Sequence, residues 1–569
     1  MTPGVVNQFI TNGDESALFA EQPDKPAFAP GSNANPTITV DSGTIYQTMD
    51  GFGFALTEGT AEVFSGLADA TQAELLAELF DPTQGIGISI VRISIGASDL
   101  SSSTYTYQEF STYGGTTAPI GSTITLQGAT NGQYVSSEDG TGPMNCNRPS
   151  PSGWETFLVV DAGGGYVALQ AQSNGQYVTN SSPVYATAPT IGSAQKFAWL
   201  SPTPGQVQFQ SASSNLFISD ENGTMAMNCN RTTASGWETF NVRAAGFSLS
   251  GPDLAYTIPI LKKILAINPN IKVLATPWTA PTWMKSNLTW VGGNLQPTYY
   301  ATYASYFKNY LDAMAAQGIH IWSITPQNEP ENSSNNPSMT MDAGEEASFI
   351  QSYLGPLLHG YGTQIICYDH NCDDTAFPIS VCNSASEYVD GSAFHLYAGS
   401  ISALSTVYSS TGKNVYFTEQ FTSSTGTFAG DLAWHTQNVT IGASNNWAKA
   451  ILEWNLATDA SFGPHTSGGC TACQGAVTVS GGSYTHNVSY YIIAHFAKLV
   501  RPGAVRIGTA TSMGSLLSTA FLNDPTDGGA KVLVVNNSGA TAQDFNISYG
   551  GNIVTVTLDA GSVGTYAWY

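Results

Sequence analysis

The sequence predicts a multidomain chain: a (β/α)8 TIM barrel with a β-sandwich side domain and an inserted all-β β-trefoil domain. Three observations predict it. Eight short apolar segments alternate with helical stretches, a threefold repeat interrupts that alternation, and a C-terminal run of strands is divided by Gly, Asn and Asp turns.

The apolar segments start at Gln47, Ile88, Ile271, Ile319, Gln364, Ser392, Asn414 and Lys449. Helical periodicity fills the intervals, as in Asp253 to Ala266 with Leu254, Ile258, Leu261 and Leu265 on one face, and in Tyr299 to Ala315. Polar and aromatic residues cluster at the C-terminal ends of the predicted strands, where such barrels assemble their sites. The barrel is assigned to 47–114 and 246–485, the insertion to 115–245, and the C-terminal sandwich to 486–569. The segment 1–46 is expected to complete the sandwich through Thr37 to Val40.

Inside the insertion, Met144-Asn-Cys-Asn-Arg148 and Ser152-Gly-Trp-Glu-Thr-Phe157 recur as Met227-Asn-Cys-Asn-Arg231 and Ser235-Gly-Trp-Glu-Thr-Phe240. A third copy lies between them, because Gln133-Tyr-Val-Ser, Gln176-Tyr-Val-Thr and Leu216-Phe-Ile-Ser recur at intervals of about forty residues, as do Phe157, Phe197 and Phe240. Three such units predict a β-trefoil, in which each unit contributes strands to one shared core.

Composition limits the partner. The 569 residues carry 41 acidic and 17 basic side chains, a formal net charge of −24. That field repels nucleic acid and anionic membrane but not a neutral polysaccharide. Abundant Gly and Tyr, with 58 and 27 copies, accompany only 10% charged residues, the usage of an extracellular, carbohydrate-handling protein. No apolar run reaches the roughly 20 residues of a membrane span. The N-terminus lacks a basic stretch followed by an apolar one, so the reading is a secreted protein whose signal peptide is absent from the sequence. A monomer is expected. The seven cysteines leave at least one thiol free in a monomer. Cys470-Thr-Ala-Cys473 has no second ligand pair at metal spacing, which favours a local disulfide over a metal site.

Hydrolysis of a glycosidic bond with retention needs two carboxyl groups about 5 to 5.5 Å apart, one protonating the leaving oxygen and one attacking the anomeric carbon. Glu329 ends the fourth predicted strand in Thr325-Pro-Gln-Asn-Glu-Pro330 and Glu419 ends the seventh in Tyr416-Phe-Thr-Glu-Gln420. Either alone reads as a surface carboxylate capping a following helix. Together, across the barrel mouth, they are a catalytic pair.

With Asp50-Gly-Phe-Gly-Phe-Ala-Leu-Thr57, Asp99-Leu-Ser-Ser-Ser103, Ala275-Thr-Pro-Trp-Thr-Ala-Pro-Thr-Trp-Met-Lys285, Phe394-His-Leu-Tyr397 and Glu453-Trp-Asn-Leu-Ala457, these motifs make the chain resemble glycoside hydrolase family 30. The resemblance implies Glu329 as acid/base and Glu419 as nucleophile, with no cofactor and no metal. It places Asn328 on the sugar 2-hydroxyl, Asp99 and Trp278 on the outer hydroxyls, and Trp454 beneath the sugar. His395, Tyr397 and Arg92 would orient the carboxylates, and the Arg92 charge would keep Glu419 ionised. Leu396 departs from the aromatic of the glucosylceramidase pattern, which argues against a ceramide-linked substrate. The insertion resembles fascin-like, glucan-binding trefoils that use a Trp and a Glu per unit. Trp154 with Glu155 and Trp237 with Glu238 supply two such pairs, and Ala194-Gln-Lys-Phe-Ala-Trp199 of the middle unit supplies none.

The reading is therefore an endo-acting β-1,6-glucanase with β-glucan as its partner. An exo-β-glucosidase or glucosylceramidase-like enzyme, a xylanase of the same family, and a catalytically silent glucan-binding lectin are the alternatives.

Overall fold

The computed structural model describes residues 4–249 and 251–569; residues 1–3, at the head of the 1–46 segment, and residue 250 lie outside the described residues. A closed barrel of eight parallel strands forms the centre. Its strands are β1 (Gly51–Ala55), β2 (Ile90–Ser94), β3 (Lys272–Thr276), β4 (Ser323–Ile324), β5 (Gln364–Cys372), β6 (Gly391–Gly399), β7 (Asn414–Glu419) and β8 (Ala448–Asn455). Most of their side chains are buried on both faces. That is why they read as continuous apolar runs rather than alternating ones.

Helices α1 (Glu58–Ser65) and α2 (Asp69–Phe80) follow β1, and α3 (Ile258–Ile267) precedes β3. Helices α4 (Tyr300–Ala316), α5 (Ala343–Phe349), α6 (Ala376–Ser384), α7 (Ala403–Thr411) and α8 (Phe428–His435) follow β3 to β7 in order. The last, α9 (Val488–Ala497), follows β8 and packs into the same apolar cluster as the barrel helices. The expected sandwich boundary at 486 is therefore corrected. α9 closes the barrel, and the sandwich strands resume at Val505–Thr511. The expectation failed because α9, Val-Ser-Tyr-Tyr-Ile-Ile-Ala-His-Phe-Ala, is buried nearly all round and lacks the polar stripe that marks a helix in sequence.

The side domain is one nine-stranded sheet wrapped around its own core of residues such as Ile38, Val40, Leu533, Phe545 and Tyr566. N-terminal strands complete it as expected: Asn7–Thr11 pairs with Val563–Trp568, and the long strand Thr37–Thr48 pairs with Val505–Thr511 and Gln543–Tyr549.

The insertion leaves the barrel after β2 and returns before α3, on the side where the strands end. Its first paired strand is Ser111–Thr112, bonded to Phe240–Ala245, so it begins a few residues before the expected 115. Six long strands, Thr123–Gly128, Phe157–Gly163, Tyr166–Ala171, Phe197–Leu200, Gln206–Ser211 and Phe240–Ala245, close antiparallel on one another in a ring. Three short hairpins hang from it, one per unit. Phe157, Phe197 and Phe240 are fully buried in its core, which is separate from that of the barrel.

Candidate active site

β4 and β7 are separated by β5 and β6 in the barrel, so the chain beyond β4 and the end of β7 approach each other across the mouth. Glu329 adopts φ +46° and donates its N–H to the Asp369 carbonyl at 3.0 Å. Asp369 itself has φ +53°, at an irregularity of β5. Left-handed backbone at non-glycine residues costs of order 1–3 kcal/mol and persists where surrounding structure fixes it. Here it turns Glu329 into the cavity and Asp369 into the buried cluster around Arg92 and His395.

One carboxylate oxygen of Glu329, one of Glu419 and a ring nitrogen of His395 lie within 4.8 Å of one another. Glu329 Oε1 is 3.1 Å from His395 Nδ1, and its Oε2 accepts from Asn332 Nδ2 at 2.8 Å and Asn335 Nδ2 at 3.2 Å. Glu419 Oε2 accepts from Arg92 Nη1, and its Oε1 accepts from Tyr397 Oη at 3.0 Å. Arg92, fully buried, also donates Nη2 to Asn328 Oδ1 at 2.6 Å and to Asp369 Oδ2 at 2.8 Å. Asn328 is thus held by Arg92 through its Oδ1 and is itself buried.

Asp369 anchors the cluster. It accepts from Thr418 Oγ1 at 2.7 Å and Thr325 Oγ1 at 2.8 Å, and lies 3.1 Å from His395 Nε2. Asp369 lies within β5 and has no role in the sequence-based site, because nothing in its residue type separates it from an ordinary strand carboxylate. Asn332, Asn335, Asn371 and Phe421 also line the cavity and were missed, because polar loop residues carry no periodic signature.

The cavity holds about 350 Å³ and takes in Asp99, Trp278, Tyr397 and Trp454 with both glutamates. Trp278 and Trp454 pack 5.3 Å apart with Arg92 beside them, 4.9 and 5.6 Å from the two ring centres, so each indole is both wall and packing partner of the buried cation. Trp283 instead donates Nε1 to the Gln108 carbonyl and packs on Phe110, pinning the root of the insertion. Cys470 and Cys473 form a disulfide at the cavity rim. Among the described residues the other five cysteines are free and buried.

Proton affinities follow from this packing. Burial alone would discharge His395, but Glu419, Asp369 and Glu329 around it raise its pKa to about 9. Burial penalises the charge of Asp369, yet Arg92 and His395 outweigh it and hold the carboxyl well below its ordinary range. Glu329 is also lowered, since His395 and Asn332 overcome its burial. In Glu419 burial wins over His395 and Arg92, and its pKa rises, so Arg92 does not by itself secure the ionised form. Burial, with Glu419 and Glu329 nearby, lifts Asp99 to about 7.

The insertion corrects one expectation. Trp154 and Trp237 are 43% and 41% exposed, whereas Glu155 and Glu238 are buried. Glu155 Oε2 accepts from Ser152 N at 2.8 Å and Ser152 Oγ at 2.6 Å, and Glu238 repeats this with Ser235 at 2.9 and 2.8 Å. Gln195 of the middle unit makes the same bond to Gly192 N at 3.0 Å. These carboxylates cap a turn common to all three units and do not face solvent beside the indoles.

The chain matches the glycosyl hydrolase family 30 TIM-barrel domain over residues 230–500 and the family 30 beta sandwich domain over 503–566. It belongs to glycosyl hydrolase family 30. Endo-1,6-beta-D-glucanase neg1 of Aspergillus fumigatus is 36% identical over 55% of this chain and 67% of its own length. Endo-1,6-beta-D-glucanase BGN16.3 of Trichoderma harzianum is 35% identical over 52% of this chain and 63% of its own. The chain thus spans about two thirds of the curated relatives it matches. The solved structure of the endo-beta1,6-glucanase BT3312 superposes with TM-score 0.71 at 28% identity, covering 99% of both chains. The family match begins beyond β1 and β2 because the insertion separates those strands from the rest of the barrel.

Proposed function

We propose that the protein is a secreted, monomeric, retaining endo-β-1,6-glucanase with Glu419 as nucleophile and Glu329 as acid/base. The observation that carries this reading is the approach of Glu329 and Glu419 oxygens to within 4.8 Å, the short separation of a double-displacement pair. In the first step Glu419 forms a bond to the anomeric carbon while the glycosidic C–O bond breaks, and Glu329 delivers a proton to the departing oxygen. In the second, Glu329 takes a proton from water, whose oxygen attacks the same carbon and releases Glu419.

The resting affinities of the two glutamates run opposite to those roles, and His395 reconciles them. At neutral pH the proton that Glu329 must deliver is shared along the 3.1 Å contact between His395 Nδ1 and Glu329 Oε1, and the pair titrates as a unit. Tyr397 and Arg92 each donate to one Glu419 oxygen and favour its ionised form. Linkage preference rests on the relatives: the two fungal proteins and BT3312 are described as endo-β-1,6-glucanases.

The insertion is a β-trefoil that retains neutral glucan through Trp154 and Trp237. The closed ring of six strands with three hairpins supports the fold. The exposed indoles support the binding, because Ala194 stands at their position in the middle unit while the cap beneath is kept.

Incubation with β-1,6-glucan, laminarin and xylan in parallel tests the reading. A ladder of β-1,6-linked oligomers is expected; activity confined to laminarin or xylan removes the linkage assignment. A second reading, release of single glucose units, is favoured by one feature. Asn336 Nδ2 donates to the Ser467 carbonyl at 2.8 Å, tying the loop after β4 to the loop after β8 and walling one side of the mouth. Glucose as the sole product would establish it.

A further inference from the structure

The two exposed indoles are chemically equivalent but differently placed. The turn bearing Trp154 rests on the barrel. Thr156 Oγ1 and Tyr299 Oη share a hydrogen bond of 2.8 Å, and Thr298 Oγ1 donates to the Gln172 carbonyl. A Cβ built on Gly153 would stand 3.6 Å from Gln296 Oε1 and 3.7 Å from Tyr299 Oη. Gln296 in turn donates to the Lys285 carbonyl at 2.9 Å. Residues 277–299 form the connection from β3 to α4, on the face where the strands end. The segment that puts Trp278 in the catalytic cavity therefore also seats Trp154. Among the described residues the Trp237 turn has no such support: a Cβ on Gly236 would meet only Thr130 of the insertion within 4 Å.

We propose that Trp154 and the β3–α4 connection form a remote subsite of the catalytic cleft, so that one neutral glucan chain lies on the Trp154 indole while another part of it occupies the cavity, and that Trp237 is an independent anchor. This rests on the reading of the insertion as glucan-binding. An indole held on a capped turn presents a flat apolar face at little entropic cost. A site rigidly joined to the cleft raises the local concentration of the bound chain there, whereas one held apart only retains the polymer.

The test compares kcat/KM of the full chain on soluble β-1,6-glucan and on gentiotetraose, together with retention on insoluble β-1,6-glucan, for Trp154→Ala, Trp154→Phe and Trp237→Ala. Trp154→Ala is expected to lower kcat/KM on the long substrate about fivefold more than on the tetrasaccharide, with Trp154→Phe recovering part of the loss. Trp237→Ala should change that ratio less than about twofold while lowering retention. If retention falls for both alanine variants but the long-to-short ratio is unaltered in Trp154→Ala, or falls equally in Trp237→Ala, the shared-chain subsite is wrong and glucan binding stands. Retention equal to the parent in both alanine variants removes the binding reading itself, and this inference with it.

Discussion

Exchanging His395 for Gln removes a proton store while leaving an amide that can still donate to Glu329. The expected consequence is a shift of the alkaline limb of kcat/KM. In the parent the ring touches Glu329 Oε1 and Asp369 Oδ1, each at 3.1 Å, and its pKa of about 9 sets the pH at which the shared proton is lost. A glutamate general acid raised by burial alone titrates at about 6. With the limb at about 9 the parent keeps roughly nine tenths of its maximal kcat/KM at about pH 8; with the limb near 6 the variant keeps about one hundredth. The predicted relative loss at that pH is therefore about a hundredfold, shrinking to a small factor near pH 5. The assay is reducing-sugar release from soluble β-1,6-glucan across the pH range, with Asp99→Asn measured in parallel. Asp99, near 7, is a further acid of the cavity able to impose a limb. Coincident alkaline limbs for the parent and His395→Gln, or a parental limb that vanishes only in Asp99→Asn, would refute the shared-proton reasoning.

Three further outcomes follow from the same geometry. Arg92→Met leaves Asp369 and Glu419 with only His395 as a buried cation, and breaking such a buried pair costs about 3–5 kcal/mol; the thermal midpoint should fall by several degrees, and an unchanged midpoint would show that His395 and the threonines suffice. Stability should decline toward both pH extremes. Asp369, lowered in the fold, contributes above its ordinary value of about 3.9 and loses that contribution as pH falls, while His395, raised in the fold, contributes fully below about 6.5 and loses it as pH rises through about 9. Melting curves of Asp369→Asn should show a weaker acid-side decline than the parent, and an identical decline contradicts the assignment. In the insertion, Glu155→Gln should preserve both folding and glucan retention, because Gln195 already makes that cap, whereas Glu155→Ala should destabilise the turn by about 1 kcal/mol. Loss of retention in Glu155→Gln with an unaltered melting curve would restore a sugar-binding role to the carboxylate.

The barrel strands were legible because burial on both faces leaves unbroken apolar runs, and the strand-end rule picked out Glu329 and Glu419. What the runs could not convey was the turn of the chain at their ends. Glu329 reaches the cavity, and Asp369 the buried cluster around Arg92 and His395, through left-handed backbone, which neither residue type announces. The roles of Arg92 and His395 were visible only as motif positions. That one guanidinium joins Asn328, Asp369 and Glu419, and that burial outweighs it at Glu419, are consequences of three-dimensional packing. The end of the barrel was misplaced at 486 for a similar reason, since α9 is covered on all sides and shows no amphipathic stripe.

The threefold repeat offers a comparison that a single copy could not. A residue required by the fold should persist in every unit, and one required for a ligand need persist only where that ligand binds. Phe157, Phe197 and Phe240 meet the first condition in the core, and Glu155, Gln195 and Glu238 meet it in the turn, where a carboxylate and an amide oxygen accept the same backbone N–H. Trp154 and Trp237, whose place Ala194 takes in the middle unit, fail the first. Reading Trp and Glu as one motif joined an exposed residue to a fold-forming one because they are adjacent in sequence. Side chains of adjacent residues in a tight turn point in different directions, and here one faces solvent while the other is buried beneath it. Cys146 and Cys229 are buried free thiols at matching positions, and Ala186 takes that place in the middle unit, so the core there requires a small apolar side chain and not a thiol.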